Sequence, residues 1–210
     1  ALLLAGGVRT LEVVAIATMI SFLFGSLLGM AAGYYGGIAE SMIQFVSDFS
    51  LIIPSFVVAM ILSALFGFSV TMAGVVFGIW QMGGYLNQAM VLTQSLRKQE
   101  FIEAEQVLGL SKPRIIFFHV LPNICRQLFV YMGNKAATVV NLYAGLAFIG
   151  IGTDITNPDW GTLLYQYRIY MTTYPRLVLY PTLFIAVLTV CLHATFDSSK
   201  LEKGEMTLYD

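Results

Sequence analysis

Charged residues are scarce in this 210-residue chain, since Asp, Glu, Lys and Arg together make up only 11% of it. Soluble domains carry about 25% charged and about 45–50% apolar residues. Here the hydrophobic share is 58% and the mean hydropathy is +0.78. Lys and Arg are absent altogether between Thr10 and Leu96. The composition excludes an ordinary soluble domain and predicts one polytopic membrane domain over residues 1–210.

Several functional classes lack the residues that they require. A net charge of −1 argues against nucleic-acid binding, which needs a basic patch. Cys125 and Cys191 lie in or beside apolar stretches without ligand spacing, so we interpret them as small core residues. His119 and His193 each lack a nearby second ligand, and we predict no metal site. Because no Gly-rich loop ends in Gly-Lys-Ser/Thr, we expect no ATP hydrolysis by this chain.

Five apolar stretches are long enough to cross the hydrocarbon core of a membrane, which takes about 20 residues. They cover approximately residues 10–33, 41–66, 70–92, 122–151 and 177–196. Pro54 interrupts the second stretch, and Gln81, Asn87 and Gln88 weaken the third. These stretches predict an all-α, polytopic transmembrane helical bundle. The chain opens at Ala1 without a Met, so we expect that an N-terminal span is missing.

The orientation of the bundle is predicted from Lys and Arg, which cytoplasmic loops retain. An odd number of spans puts the two termini on opposite sides of the membrane, and residues 97–126 then share a side with the C-terminal tail. That side holds seven basic residues: Arg97, Lys98, Lys112, Arg114, Arg126, Lys200 and Lys203. The other side holds three: Arg9, Arg168 and Arg176. We therefore predict a cytoplasmic segment at residues 97–121 and an external loop at residues 152–176.

The predicted cytoplasmic segment has the pattern of a short, self-terminated helix. Residues 100–108 include strong helix formers, and Gly109 suits the left-handed position that ends a helix. Ser111 is placed to cap the next helix. Apolar residues form one face of the first helix, which is typical of a knob that inserts into a partner's groove. The alternative is an ordinary solvated helix between two spans.

The same segment carries a motif. Glu103-Ala104-Glu105, followed by Gly109 and then Leu121-Pro122-Asn123, resembles the EAA loop of inner-membrane permeases in binding-protein-dependent ABC importers. Glu105 stands where that pattern has a second Ala. Further matches occur in order: Ala32-Gly33-Tyr34-Tyr35-Gly36-Gly37, Asp48, Ile53-Pro54-Ser55, Phe117-Phe118-His119-Val120, Ala147-Phe148-Ile149-Gly150-Ile151-Gly152 and Asn157-Pro158-Asp159-Trp160-Gly161. Essentially the whole chain resembles the second permease subunit of the dipeptide, oligopeptide and nickel group.

This resemblance implies the type I ABC importer permease fold in a bacterial inner membrane. Its core has six helices, of which the first helix and a large external segment after it are absent here. The implied partners are a homologous second permease, two cytoplasmic ATPases and an external solute-binding protein, besides membrane lipid. ATP and Mg are expected in the ATPases and no cofactor in this chain. The expected ATPase contact, the coupling helix, comprises Glu103, Ala104, Val107, Gly109 and Leu110.

Polar residues inside membrane spans are costly, usually face the bundle interior and often mark transport pathways. Asn134, Thr138 and Asn141 form one stripe of the fourth span, and Lys135 borders it. We interpret this stripe as lining of the translocation path, or as hydrogen-bonding contacts with the partner permease. Asp48, in the second span near its cytoplasmic end, is interpreted as a structural anchor or as part of a gate.

Three residues of the predicted external loop stand out: Asn157, Asp159 and Trp160. With the tyrosines of this loop, Trp160 is typical of the aromatic belt at a membrane interface. The alternative is a platform that meets the solute-binding protein.

Together these features predict a permease subunit of an ATP-driven importer that is not itself an enzyme. The cargo is predicted to be peptides, or nickel and metal chelates. Permeases of the resembling group commonly carry basic residues after Gly84-Tyr85, and residues 86–90 include none, which favours the metal-chelate option. The alternatives are a non-transport membrane scaffold, which would not require the polar stripe, and an intramembrane enzyme, for which no catalytic constellation is present.

Overall fold

The computed structural model describes residues 2–66, 69–152 and 154–196. Within these ranges the chain is helical and contains no strand, which confirms the predicted all-α class. The helices are α1 (Leu2–Tyr35), α2 (Gly37–Ile52), α3 (Ser55–Phe66), α4 (Val70–Arg97), α5 (Glu100–Val107), α6 (Lys112–Ile115), a π-helical segment (Ile116–Val120), α7 (Leu121–Phe148), α8 (Trp160–Tyr167), a 3-10 turn (Arg168–Tyr170) and α9 (Arg176–Phe196). Lys200 and Lys203, which entered the predicted orientation, lie outside the described residues.

Helices α1 and α4 pack side by side through small residues. The glycines at this contact recur every four residues: Gly25, Gly29 and Gly33 on α1, and Gly74 and Gly78 on α4. Gly25 lies against Tyr85 and Gly33 against Met90, so the two helices run in the same direction. Such spacing lets membrane helices approach closely, because no side chain separates their backbones.

Two apolar clusters occupy opposite ends of the bundle. The first cluster draws mainly on α1, α4, α7 and α8 and includes Val13, Ala17, Phe77, Val140, Tyr143 and Trp160. The second includes Met30, Tyr34, Ile102, Ile115, Ile116, Val120 and Leu128. Val13 and Met30 both belong to α1, and their separation of 17 residues corresponds to about 26 Å at 1.5 Å per residue. We call these the 152–176 end and the 97–121 end, after the segments that lie there.

The break between α2 and α3 lies where the sequence predicts it. Ile53, the residue before Pro54, is extended, with φ −83° and ψ 124°. The proline ring disfavours the helical conformation of the residue that precedes it, so α2 ends here. The two helix axes differ by 84°. The second predicted span is therefore a strongly bent pair of helices instead of one rod.

The number of helices that qualify as spans is smaller than predicted. By length and composition, three helical stretches of the described chain can cross a membrane: Leu2–Tyr35, Lys112–Phe148 and Arg176–Phe196. The α2–α3 pair makes a fourth if it is one broken span. Helix α4 has 28 residues and is about 42 Å long, which is enough to cross a membrane. Its polar residues, however, make it less apolar than is typical of a spanning helix. The count of five therefore stays a prediction that depends on α4.

Candidate functional site

The segment at residues 97–121 folds as two helices joined by a tight left-handed turn. Helix α5 ends at Val107, and Gly109 has φ +80°. The amide of Gly109 donates to the carbonyl of Gln106 over 3.1 Å, and the amide of Leu110 donates to that of Glu105 over 3.2 Å. This pair of bonds is the Schellman motif, which satisfies carbonyls at a helix C-terminus. Ser111 occupies the N-cap of α6, although its side chain makes no capping hydrogen bond.

The inner face of α5 is attached to the rest of the chain through Ile102. This side chain is fully buried in the second cluster, beside residues of α1, α4 and α7. Leu110 packs partly against the same cluster. Because eight residues are too few for a stable isolated helix, this burial is what holds α5 in place. The sequence pattern had not singled out Ile102.

The outer face of α5 is open to its surroundings. Glu103, Ala104 and Gly109 are exposed, and a Cβ added to Gly109 would meet no atom within 4 Å. Val107 is 87% exposed and Leu108 is 77% exposed. Exposed apolar side chains that lie together, rimmed by polar ones, mark protein interaction sites. Of the five predicted ATPase contacts, four are thus accessible, and the fifth, Leu110, is partly buried.

Glu105, the departure from the resembling motif, has a specific partner. Its Oε1 lies 2.6 Å from Nδ1 of His119. Since a carboxylate oxygen only accepts, the imidazole Nδ1–H is the donor. His119 belongs to the π-helical segment that precedes Pro122. The side chain of Asn123, the residue after Pro122, donates to the carbonyl of His119 over 2.7 Å.

The predicted polar stripe on α7 faces α9 of the same chain at two points. Asn134 Oδ1 lies 2.8 Å from Nδ1 of His193, and Thr189 donates to Asn141 Oδ1 over 3.5 Å. Thr138 donates to the backbone carbonyl of Asn134. A cavity of about 440 Å³ adjoins Asn134 and His193. Sequence reasoning had missed Thr189 and had considered His193 only as a possible metal ligand. Their spacing of four residues on one helix face was the available signal.

The stripe is exposed on the surface of this chain, since Asn134, Thr138 and Asn141 are all exposed. Polar groups on spanning helices rarely face lipid, because desolvation without a partner is costly. This surface therefore requires a polar cover or an aqueous space. Both interpretations of the stripe, a path lining and a contact with a second permease, remain compatible with its position.

Lys135 lies between α7 and α4. Its Nζ is 5.2 Å from the centroid of the Tyr131 ring, within the range of a cation–π contact. The Tyr131 ring packs edge-on against Tyr85 at 5.0 Å between centroids. A Cβ on Gly84 would lie 3.4 Å from Cε of Lys135. The cation on α7 therefore lies beside the Gly84-Tyr85 pair. Permeases of the resembling group commonly carry basic residues just after this pair, and this chain has none at residues 86–90.

Asp48 lies elsewhere. It is exposed on α2, and its Oδ1 accepts from the side-chain amide of Gln44 over 2.8 Å. It lies eleven positions after Gly37, the first residue of α2, which places it about 17 Å along the helix, towards the break at Pro54. Its interpretation as a structural anchor or as part of a gate stays a prediction.

The Asn-Pro-Asp-Trp-Gly motif in the 152–176 loop packs against the bundle. Trp160 is only 6% exposed, and its indole nitrogen donates to the carbonyl of Leu3 over 2.8 Å. Asp159 is buried and caps α8 through the amide of Thr162. Arg9 donates to the backbone carbonyl of Asn157, which is itself exposed. Trp160 is thus neither an interface-belt residue nor a docking platform, because α1 covers it.

Polar groups also line an open cavity of about 650 Å³ at this end of the bundle. The lining residues include Arg9, Glu12, Tyr143, Asp154 and Asp159. The hydroxyl of Thr156 donates to Asp154 and holds the pKa of that carboxyl below its usual value. In the described ranges, no group of three His, Cys, Asp or Glu side chains is arranged to hold a metal ion.

Comparison with known proteins places these features in a family. The model of a family described as "Binding-protein-dependent transport system inner membrane component" matches residues 25–199. The dipeptide transport system permease protein DppC of Alkalihalophilus pseudofirmus is 34% identical over 163 residues, which cover 77% of this chain and 53% of that protein. The oligopeptide transport system permease protein OppC of Mycobacterium bovis is 30% identical over 81% of this chain and 59% of its own length.

Two further comparisons extend the picture. The glutathione transport system permease protein GsiD of Pectobacterium atrosepticum is 26% identical over 85% of this chain and 60% of its own length. The chain thus spans little more than half the length of these curated relatives. A solved structure of the inward-facing MetNI methionine ABC transporter matches 93% of each chain at 17% identity and a TM-score of 0.67, and so shares the fold. The predicted permease fold and multi-pass inner-membrane location are confirmed.

Proposed function

The chain belongs to the family of binding-protein-dependent transport system inner membrane components, and on this premise we propose that it is the permease subunit of an ATP-driven peptide importer. Its partners are a second, homologous permease, two cytoplasmic ATPases and an external solute-binding protein. ATP and Mg are bound by the ATPases, and this chain performs no catalysis of its own. The peptide cargo is supported by the names of the relatives, which transport dipeptides, oligopeptides and glutathione.

The observation that carries this proposal is the two-sided character of α5. Its inner residue Ile102 is buried in the second cluster, which includes residues of α1, α4 and α7, while its outer residues Glu103 and Val107 are exposed at the end of the bundle. A short helix that is anchored by one buried side chain and has an exposed, partly apolar face is suited to fit a groove in another protein. Movement of that partner is then passed to the spanning helices through Ile102.

In the proposed cycle, ATP binding draws the two ATPases together, and α5 follows the ATPase surface that contacts it. Because α5 is anchored through Ile102 in a cluster that α1, α4 and α7 share, its displacement changes the relative positions of these helices. The permease pair thereby alternates between outward-facing and inward-facing states. A conformational change of this kind needs differential contacts in the two states. The exposed face of α5 is where the nucleotide-dependent contact is made.

The polar stripe of α7 is proposed to line the path. Peptides present amide groups that donate and accept hydrogen bonds, and the side-chain amides of Asn134 and Asn141 do both. Lys135 adds a cation beside Gly84, which suits the carboxylate end of a peptide. Nickel or metal chelates are the second candidate cargo. The absence of basic residues from 86–90 favours them, whereas Lys135 beside Gly84 weakens that argument.

The test is transport by the complete importer in proteoliposomes, with the full-length permease and its partners. ATP-dependent uptake of a labelled dipeptide and of labelled glutathione is compared with uptake of a nickel–histidine chelate. We expect peptide uptake that requires both ATP and the solute-binding protein. Chelate uptake without peptide uptake would replace the cargo proposal. ATP-independent uptake of all three probes would contradict the importer itself.

A further inference from the structure

We propose that the Glu105–His119 pair is a positioning contact that makes α5 and the start of α7 move as one body. The inference rests on the proposed role of α5 as the ATPase contact. It assigns a function to the residue that departs from the EAA pattern. The pair is therefore a feature of this chain that the resemblance does not supply.

The pair closes a ring in the chain. Glu105 lies on α5, and His119 lies 14 residues later in the π-helical segment that leads into α7. The peptide backbone joins the same two elements through the left-handed turn at Gly109. With the covalent connection on one side and the 2.6 Å contact on the other, the angle between α5 and α7 has two constraints instead of one. Such a ring resists hinge motion at Gly109.

The environment of the pair strengthens the contact. The Glu105 side chain is 16% exposed and that of His119 is 34% exposed, so neither is a freely solvated surface group. Hydrogen bonds to a charged group are stronger than those between neutral groups. Within the described residues, Oε2 of Glu105 is buried without a hydrogen-bond partner, so His119 supplies the contact that compensates for burial of this carboxylate.

Two constraints matter because α5 is short. Ile102 fixes the position of α5 at one point, but a single buried side chain still lets the helix rotate about that point. Glu105 lies three residues further along, close to one helical turn. Fixing both positions sets the direction in which Glu103 and Val107 project. A push on that outer face is then transmitted to α7 instead of being absorbed at the turn.

The first experiment measures ATP hydrolysed per peptide transported in the reconstituted importer. We expect Glu105→Ala to raise this ratio several-fold while the complex still assembles. His119→Ala should be the more severe single change, because it leaves a partly buried carboxylate without its donor. The exchange of the pair, Glu105→His with His119→Glu, should restore much of the coupling. Lys98→Ala, a change at an exposed position just outside α5, is the control and should leave the ratio near that of the wild type.

The second experiment measures rigidity directly. Spin labels are placed at Glu100 and Phe117, both exposed, in full-length protein whose Cys125 and Cys191 have been replaced by Ser. We expect a narrow distance distribution that is the same with and without ATP, and a broadened distribution in Glu105→Ala. This measurement also tests whether the pair holds α5 rigidly against the start of α7 when a variant assembles too poorly for transport assays.

An unchanged ratio and an unchanged distribution in Glu105→Ala would overturn the proposal. Failure of the exchanged pair to restore coupling, with a distribution as broad as in the single variants, would also overturn it. The proposed role of α5 is tested separately by Gly109→Val. If that variant uncouples transport while Glu105→Ala does not, only the positioning role fails. If neither uncouples transport, the assignment of α5 fails.

Discussion

The hydroxyl group of Tyr143 donates a hydrogen bond to the carboxylate of Asp159 over 2.9 Å, and this bond ties α7 to the N-terminus of α8. The same carboxylate accepts from the amide and the hydroxyl of Thr162, each over 2.9 Å. One buried acidic side chain thus caps α8 and anchors it to the bundle. The Asp in the Asn-Pro-Asp-Trp-Gly motif is explained by structure and needs no docking partner.

Asp159→Ala is expected to lower the free energy of unfolding by on the order of 2–3 kcal/mol, because a cap is lost and two buried hydroxyls lose their acceptor. The measurement is the thermal unfolding midpoint of the detergent-purified protein. Asp154→Ala is the matched control, since Asp154 is an exposed carboxylate in the same loop. Equal shifts for the two variants would contradict the anchoring role.

Gly29→Ala is expected to destabilise the protein by about 1–3 kcal/mol, because an added methyl group overpacks a tight contact. A Cβ at this position would lie against the backbone carbonyl of Leu86, which cannot move aside as a side chain does. Gly145→Ala is the control. Gly145 is also helical, has open space around a built Cβ, and should be neutral or slightly stabilising. The measurement is again the thermal unfolding midpoint of the purified protein. An unchanged midpoint in Gly29→Ala would rule out close packing of α1 against α4 at this position.

Gly109→Val is expected to uncouple ATP hydrolysis from transport or to release the ATPases from the membrane. A β-branched residue at φ +80° strains the backbone by about 1–2 kcal/mol and shifts α5 from its docked position. Glu103→Lys should act in the same direction but more weakly. Gly37→Val is the control, because Gly37 has φ +64°, a Cβ added there would meet no atom within 4 Å, and the residue lies outside α5. Wild-type transport with bound ATPases in Gly109→Val would remove α5 from the coupling route.

Lys135→Met is expected to change the transport rate or the preference among peptides while the complex still assembles. The substitution keeps much of the side-chain length but removes the cation beside Gly84. Uptake of peptides with free and amidated C-termini is compared, and the preference for the free carboxylate should fall. Lys98→Met, at the exposed end of α4, should leave this preference unchanged. If Lys135→Met prevents assembly, the residue belongs to a packing contact with the second permease.

A cysteine at Lys112 should react with a membrane-impermeant reagent only from the cytoplasm, and a cysteine at Asn157 only from outside. Both positions are exposed and lie at opposite ends of the bundle. Labelling is carried out in intact cells and in inverted vesicles of a variant without Cys125 and Cys191. Reaction of both positions from one side would contradict the predicted orientation and the span count together.

Much of the helical architecture follows from local signals in the sequence. Pro54 marks the break between α2 and α3, because proline disfavours a helical conformation of the residue before it. Gly109 marks the end of α5, because glycine adopts the left-handed conformation without strain. The packing of α1 against α4 was also readable, since Gly25, Gly29 and Gly33 are spaced for a close helix contact. Our sequence reasoning did not use that spacing. The interpretation of Trp160 failed because the sequence around an aromatic residue in a loop does not indicate whether another helix covers its side chain.

The sequence by itself determined that this chain is a multi-pass membrane protein of its transport family with a charged helical segment between apolar stretches, because apolar length, proline, glycine and motif order act locally along the chain. Only the tertiary structure decided which side chains meet. Glu105 and His119 are 14 residues apart, Asn134 and His193 are 59 apart, and Trp160 and Leu3 are 157 apart. Such contacts depend on how α1, α5, α7 and α9 are packed. No local pattern records that packing, because each helix satisfies its own backbone hydrogen bonds whichever neighbour it contacts.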